Sequence, residues 1–137
     1  MRLKFEHRKF DLKTDEALLR IFAFEHSEKV PDKIMFLPPT GFVVFHEEAP
    51  VCLGFMIKCD NGMVINSDFL SDKKLPKEMR NQGVQYLRGL LAAEALACGA
   101  KFVTAFTKHE KLADRLEALG YTKMDKGFIQ MGRVLWR

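Results

Sequence analysis

Arg80-Asn81-Gln82-Gly83-Val84-Gln85 stands between a strand-like run, Met63 to Leu70, and a helix-like run, Val84 to Cys98. A glycine at such a junction lets the backbone approach a ligand closely. The N–H groups at the helix start have no partner within the helix, so they face outward as an anion site. This predicts a turn centred on Gly83 with the helix starting behind it. Val84, Leu87, Leu91, Ala95 and Cys98 share one helical face, and Gly99 stands where a helix stops.

Upstream, Leu3 and Phe5 alternate with Lys4 and Glu6, which predicts a strand near residues 2–8. Thr14 reads as an N-cap with Asp15 and Glu16 in the first turn. Ala17, Leu18, Ile21 and Phe22 then give a helical stripe, which Pro31 interrupts. A short helix over 32–37 ends at Pro38-Pro39. Phe42 to Phe45 and Val51 to Lys58 read as strands joined by a turn at Glu48-Ala49-Pro50. The second of these is apolar on both faces and is expected to be buried on both. Asn61-Gly62 predicts a type I′ hairpin turn into Met63–Leu70. Within that strand Asn66-Ser67-Asp68 is a polar triplet. It marks either the point where the strand leaves the core or a site.

Residues 71–79 read as a charged loop. Downstream, Lys101 to Thr107 is a strand, Leu112, Ala113, Leu116 and Leu119 stripe a helix that Gly120 ends, and Phe128 to Trp136 is a last strand. A helical crossover between two strands makes them parallel, whereas tight turns make neighbours antiparallel. The expected architecture is α/β: a mixed, mostly antiparallel central sheet with helices on both faces, in one domain spanning 1–137. Ligands of such sheets bind where neighbouring strands separate at their C-terminal ends. Here that is the end of the 63–70 strand beside Gly83.

With 137 residues the chain is long enough for one sizeable core. It has no 18-residue apolar run and no apolar N-terminal stretch, so neither a membrane span nor a signal peptide is expected and the cytoplasm is the default location. Cys52, Cys59 and Cys98 form no CxxC pair, and Cys52 and Cys98 read as small core residues. His7, His26, His46 and His109 are scattered without ligand spacing, so no metal is expected. The net charge of +4 is mild. Lys73, Lys74, Lys77 and Arg80 are its densest cluster, either a solvated loop or a patch for a cofactor phosphate. Nucleic-acid binding would want a longer basic stripe or interleaved aromatics.

The order strand, glycine turn, helix, strand, helix, Gly-aromatic, strand resembles the GNAT (Gcn5-related N-acetyltransferase) superfamily. Its pyrophosphate loop reads Arg/Gln-x-x-Gly-x-Gly/Ala, matched at Arg80 and Gly83 and departed from at Gln85. Its later pattern ends in Gly-Phe, aligned here with Gly120 and Tyr121. That alignment puts Leu116 where the family usually has a Tyr, and His109 where it often has Asn. The resemblance implies an N-acetyltransferase that binds acetyl-CoA and moves its acetyl group to an amine acceptor of unknown type. Arg80, Asn81, Gln82, Gly83, Val84 and Gln85 would hold the pyrophosphate. Phe69 and Leu70 would line the pantetheine, and His109 would lie beside the cofactor. No metal is implied, and a homodimer is a common outcome for this fold.

The chemistry needs a neutral amine, hence a base, and donors for the oxyanion. Asp68 is the candidate base, with a polar strand-end residue as its plainer reading. His46 and Glu47 are the alternatives at the end of the 42–45 strand, otherwise an exposed hairpin, and His109 is a third. Tyr86 follows the glycine and reads as cofactor contact or helix packing, and Tyr121 as packing. Leu116 cannot donate the proton that the family's Tyr gives the leaving thiolate. That departure and Gln85 leave a second class open: a non-catalytic GNAT-like protein that acts as a CoA-binding or protein-interaction module, of a kind also found in bacteriophages and prophages. A nucleotide-binding α/β domain is weaker, since no Lys-Ser/Thr follows Gly83 and no GxGxxG occurs.

Overall fold

Val51 to Met56 are six consecutive buried residues, and the sheet is built around them. The computed structural model describes residues 2–25, 37–105, 110–118 and 120–122. It divides into two compact units, Met1–Phe106 and Thr107–Arg137.

In the first unit the elements run β1 (Glu6–Lys9), α1 (Leu12–Glu25), β2 (Thr40–His46), β3 (Ala49–Lys58), β4 (Met63–Ser71), α2 (Lys77–Ala97) and β5 (Phe102–Ala105). The strands lie in the order β1-β2-β3-β4-β5. The first three pairings are antiparallel and β4–β5 is parallel. The mixed, mostly antiparallel sheet expected from the sequence is therefore present.

Alternation splits the strands between two apolar layers. Phe42, Val44, Cys52, Met56 and Val64 pack with Leu87, Leu91 and Ala95 of α2. Val43, Leu53, Phe55 and Leu70 pack with Leu19, Phe22 and Ala23 of α1. The sheet thus carries a helix on each face, and β3 is covered on both. Burying each large aliphatic side chain contributes roughly 1.5–3 kcal/mol, so these two layers dominate the stability of the unit.

Several local expectations change. Asp11, not Thr14, caps α1: its carboxylate accepts from the Lys13 N–H at 3.2 Å and from the Thr14 hydroxyl at 3.2 Å. Asp15 is turned inward, 1% exposed, and forms a bidentate pair with Arg8 of β1. That pair sets the rotation of α1, so Leu19, Phe22 and Ala23 face the sheet while Ala17 and Ile21 face out. The β2–β3 hairpin turns at Glu47 and Glu48, with φ of 49° and 68°, one residue before the turn expected at Glu48-Ala49-Pro50. At Asn61-Gly62 only Gly62 has positive φ, 83°. The Asn61 side chain instead accepts from the Met63 N–H at 3.1 Å, so the turn is not type I′.

The largest change concerns α2, which starts at Lys77, seven residues before Val84. Pro76 is its N-cap and provides no side-chain cap. Gly83 lies within the helix, buried, not in a turn. Its face toward the sheet is Gly83, Leu87, Leu91 and Ala95, while Cys98 is exposed rather than in the core. Cys52 is buried, and that burial pushes its thiol up to about 12. The helix closes where expected: the Gly99 N–H donates to Leu96 O and the Ala100 N–H to Ala95 O, with Gly99 at φ 80°.

In the second unit, α3 (Glu110–Ala118) ends in the same way. The Gly120 N–H donates to Glu117 O and the Tyr121 N–H to Leu116 O. The helix expected over 32–37 and the strand expected over 128–136 fall outside the described residues, apart from Leu37, which is in neither helix nor strand.

Candidate functional site

The polar triplet of β4 lies beside a slip in its pairing. Parallel pairing with β5 runs from Met63↔Phe102 to Asn66↔Ala105, the last described residue of β5. On the other side, the register with β3 slips: Leu53 pairs with Leu70, but Phe55 pairs with Ser67. Two residues of β4, Asp68 and Phe69, therefore face the single residue Gly54. Such a bulge bends the strand and re-aims the side chains beyond it. Val64 lies in the α2 layer, and regular alternation would put Leu70 there too. The bulge places Phe69 in that layer and Leu70 against α1.

Gly54 is what lets the bulge fit. A Cβ there would come within 2.5 Å of the Phe69 ring and 3.0 Å of Leu87 Cδ2. The Arg88 guanidinium lies 5.7 Å from the centre of the same ring. Just before the bulge, Asn66 Oδ1 and Ser67 Oγ are buried without a hydrogen-bond partner. Buried polar atoms are nearly always paired, and leaving one unpaired costs about 1–3 kcal/mol. Two in succession make this stretch of β4 a polar spot inside an otherwise apolar sheet. The sequence signal for them is the triplet itself, in which the need for a base picks out Asp68 alone.

The segment from β4 to α2 is stitched to itself and to α1. The Lys73 N–H donates to the Glu25 carboxylate at 2.8 Å, the Lys74 N–H to the Asp72 carboxylate at 2.9 Å, and the Leu75 N–H to Asp72 O at 3.1 Å. Arg80 Nε donates to Leu75 O at 3.2 Å, which holds the loop against the helix. The Arg80 N–H is the first in α2 to find a carbonyl, that of Pro76 at 3.1 Å. The N–H groups of Lys77, Glu78 and Met79 thus form the helix start, seven residues from where the sequence suggested. Lys73, Lys74 and Lys77 are exposed around it.

The six residues read as a phosphate turn do not meet at one point, because a helix distributes successive residues around its axis. Gly83 faces the sheet, where a Cβ would lie 2.7 Å from Val51 Cγ1. Val84 packs against the α2 layer, and Asn81 is half-buried. Gln82 accepts from the Leu3 N–H at 2.9 Å and donates to Glu78 at 3.0 Å. Gln82 and Gln85 line a shallow cavity of about 590 Å³ with Arg2, Phe5, Glu78 and Tyr86.

Tyr86 is hydrogen-bonded to His7 Nδ1 at 2.8 Å and stacked at a tilt on Phe5. His46 donates to Lys4 O at 2.8 Å, and Glu47 is exposed in the hairpin turn. The structure therefore ties Tyr86 and His46 to the N-terminal segment. Asp68 lies in the β4 bulge. Leu116 is buried, Tyr121 is half-buried, and His109 lies outside the described residues. Among the described residues no three His, Cys, Asp or Glu gather as metal ligands, and no helix is long and apolar enough to cross a membrane.

No protein-family model matches the sequence, and comparison with curated proteins gives no match. Solved structures do match over nearly the whole chain. AAC(6')-Iy in complex with the bisubstrate analogue CoA-S-monomethyl-acetylneamine superposes with a TM-score of 0.70 at 10% identity, covering 96% of this chain and 99% of that one. A GNAT-family acetyltransferase from Staphylococcus aureus Mu50 gives a TM-score of 0.70 at 12% identity, covering 93% and 90%. Glucosamine-6-phosphate N-acetyltransferase from Arabidopsis thaliana gives 0.64 at 14% identity, covering 96% and 99%.

Proposed function

We propose that this chain, whose fold is that of the GNAT acetyltransferases, transfers an acetyl group from acetyl-CoA to an amine. The observation that carries the reading is the centre of β4: a bulge at Asp68-Phe69 opposite Gly54, just beyond two buried side-chain oxygens, of Asn66 and Ser67, that have no hydrogen-bond partner. These features suit an elongated, amide-bearing ligand laid along β4. The acceptors named for the similar structures are amines on sugars, and an amine of that kind is the substrate class we assign here.

Acetyl-CoA fits these residues in part. The N–H groups of Lys77, Glu78 and Met79, with the side chains of Lys73, Lys74 and Lys77, would hold phosphate at the uncapped start of α2. Arg80, through its bond to Leu75 O, would fix the loop they stand on. Phe69 and Leu70 would flank the arm that follows the strand. When bound, acetyl-CoA supplies an acyl group activated as a thioester. The protein's part is to exclude water, orient the amine and take its proton. Asp68, directly or through a water it holds, is the proposed base, and a solvated Asp needs a raised pKa or that relay to act near neutral pH. Leu116 supplies no proton to the leaving sulfur, so a modest rate follows.

One set of contacts favours a second reading, a non-catalytic module that binds a partner with little or no CoA. The loop beside the helix start already holds two carboxylates, Glu25 on the Lys73 amide and Asp72 on the Lys74 amide, whose charge opposes a phosphate there. Calorimetric titration with acetyl-CoA and free CoA separates the two readings. Binding followed by thiol release in a screen of aminosugars and other amines establishes the transferase. Binding without thiol release, or no binding, establishes the module.

A further inference from the structure

Lys58 is the last residue of β3, and Cys98 closes α2. Lys58 pairs with Val64, a member of the α2 layer, so its side chain stands on the face of the sheet that α2 covers. There its Nζ lies 4.0 Å from Glu94 Oε1. The Cys98 N–H donates to Glu94 O at 3.1 Å, so Glu94 and Cys98 are one helical turn apart and share a face. The same Lys58 ammonium is hydrogen-bonded to the Cys98 side chain. Glu94, the sulfur and the negative C-terminal end of α2 together keep a cation at this spot. The bond to Cys98 holds Lys58 above its ordinary value; desolvation opposes this, and the charges of Cys98 and Glu94 add to it. The Cys98 thiol is exposed and the Lys58 side chain is 46% exposed, so a small reagent reaches both. An accessible thiol beside a cation is the setting in which cysteines react. The other two cysteines differ: Cys52 is buried, with its thiol pushed up to about 12, and Cys59 is half-buried.

We propose that Cys98 and Lys58 form a self-acylation relay, in which Cys98 takes an acyl group from a small thioester and passes it to Lys58. In the first step the Cys98 thiolate, its proton lost to water, attacks the carbonyl of the thioester. An S–acyl bond forms, the donor's C–S bond breaks, and the departing thiolate takes a proton from water. In the second step Lys58, having lost one proton to water, attacks the same carbonyl through Nζ. An N–acyl bond forms, the bond to Cys98 breaks, and the nitrogen's proton goes to the Cys98 sulfur. One thioester and one ammonium thus give one amide, one thiol and one proton. Acylation also strips the sulfur of its charge, which relieves what holds Lys58 protonated. Thiol and amine are already in contact, so the second step has the high effective concentration of an intramolecular reaction. The pair lies at the far end of the 21-residue α2 from the start assigned above to phosphate, roughly 30 Å away. It therefore stands whether or not the chain is an acyltransferase.

The experiment incubates the whole chain with S-acetyl-N-acetylcysteamine, a thioester without a nucleotide, so that binding at the start of α2 plays no part. Parent, Cys98→Ser and Lys58→Arg are compared by peptide mass mapping over time, with and without hydroxylamine, which cleaves thioesters and spares amides. In the parent, Lys58 is expected to be acetylated ahead of every other lysine, as a hydroxylamine-resistant amide. In Cys98→Ser its rate should fall about tenfold or more, because the intramolecular step is lost. In Lys58→Arg the acetyl group should stay on Cys98 and be released by hydroxylamine. Equal Lys58 acetylation in parent and Cys98→Ser overturns the relay, since the amine then reacts directly. A parent in which Lys58 is acetylated no faster than the other lysines overturns it too, as does a Lys58→Arg chain with no acetyl group on Cys98.

Discussion

A methyl group added at Gly83 would stand 2.7 Å from Val51 Cγ1 and 3.5 Å from Cys52 Sγ, both in the buried layer beneath α2. Overpacking of this kind costs about 1–3 kcal/mol, while alanine regains up to about 1 kcal/mol of helix preference. Steric conflict wins, and Gly83→Ala is expected to lower stability by about 1 kcal/mol in chemical denaturation with no ligand present. Unchanged or raised stability would show that the helix does not sit this close to β3. Arg8 and Asp15 give a second residue-scale test. Burial pushes the Asp15 carboxyl up, but the Arg8 hydrogen bond, the Asp11 N–H and the Arg8 charge outweigh it and hold it below the ordinary carboxylate range. A carboxylate lowered in this way adds stability above its unfolded pKa, and that contribution is lost as pH falls through the folded one. Stability of the parent should therefore drop below about pH 4. Arg8→Gln should cost about 2 kcal/mol at pH 7, the lower range for a charged hydrogen bond because the guanidinium is 42% exposed and screened. Its denaturation midpoint should also change less between pH 5 and pH 3. Neither residue's role was legible in the sequence. Gly83 has the same letter whether it frees a turn or admits a neighbouring strand, and Asp15 reads as a first-turn acid because its partner, Arg8, comes from another element.

At the scale of elements, the start of α2 decides how strongly an anion can be held. Glu25, the last residue of α1, keeps its carboxylate on the Lys73 N–H at 2.8 Å, in the loop that leads to the helix start. Glu25→Gln removes a competing negative charge and should tighten acetyl-CoA binding several-fold by calorimetry. An affinity that falls, or stays the same, would remove this loop from the binding site. Lys73, Lys74 and Lys77 are exposed, so their attraction for phosphate should weaken with salt, screened within roughly 10 Å at 0.1 M. An affinity equal at low and high salt would count against them. The elements themselves were largely legible, because each strand and helix carries its own period of apolar residues. Their edges were less so. Pro76 looked like the middle of a loop and is the N-cap of a helix. At Glu47-Glu48 the hairpin imposes positive φ on two residues that are neither Gly nor Asn, one residue ahead of the turn read at Glu48-Ala49-Pro50.

At the scale of the whole molecule, β3 has the longest buried run among the described strands, Val51 to Met56, and is paired on both edges. Its amides should exchange most slowly with deuterium, and those of β1, an exposed edge strand, among the fastest. Similar rates in the two strands would contradict the layering. The strand order was legible because each connection from β2 to β4 is a short hairpin, and a single helical crossover then makes β5 parallel. The candidate site was legible only in outline. The Asn66-Ser67-Asp68 triplet stood out in an apolar strand, but the missing partners of Asn66 and Ser67, and the register slip opposite Gly54, exist only once strands are paired.

The parallel pairing of β4 with β5 also has a consequence in time. The β2, β3 and β4 strands can meet through turns of a few residues, so each closes a small loop at little entropic cost. β5 cannot join until the 21 residues of α2 have coiled and packed across the face between them. The three-stranded meander should therefore form first, with β5 docking after the rate-limiting step. Conservative truncations in β3 should slow refolding, whereas Val103→Ala in β5 should mainly hasten unfolding. The edge of β4 that borders the site would then be among the last parts of the sheet to close.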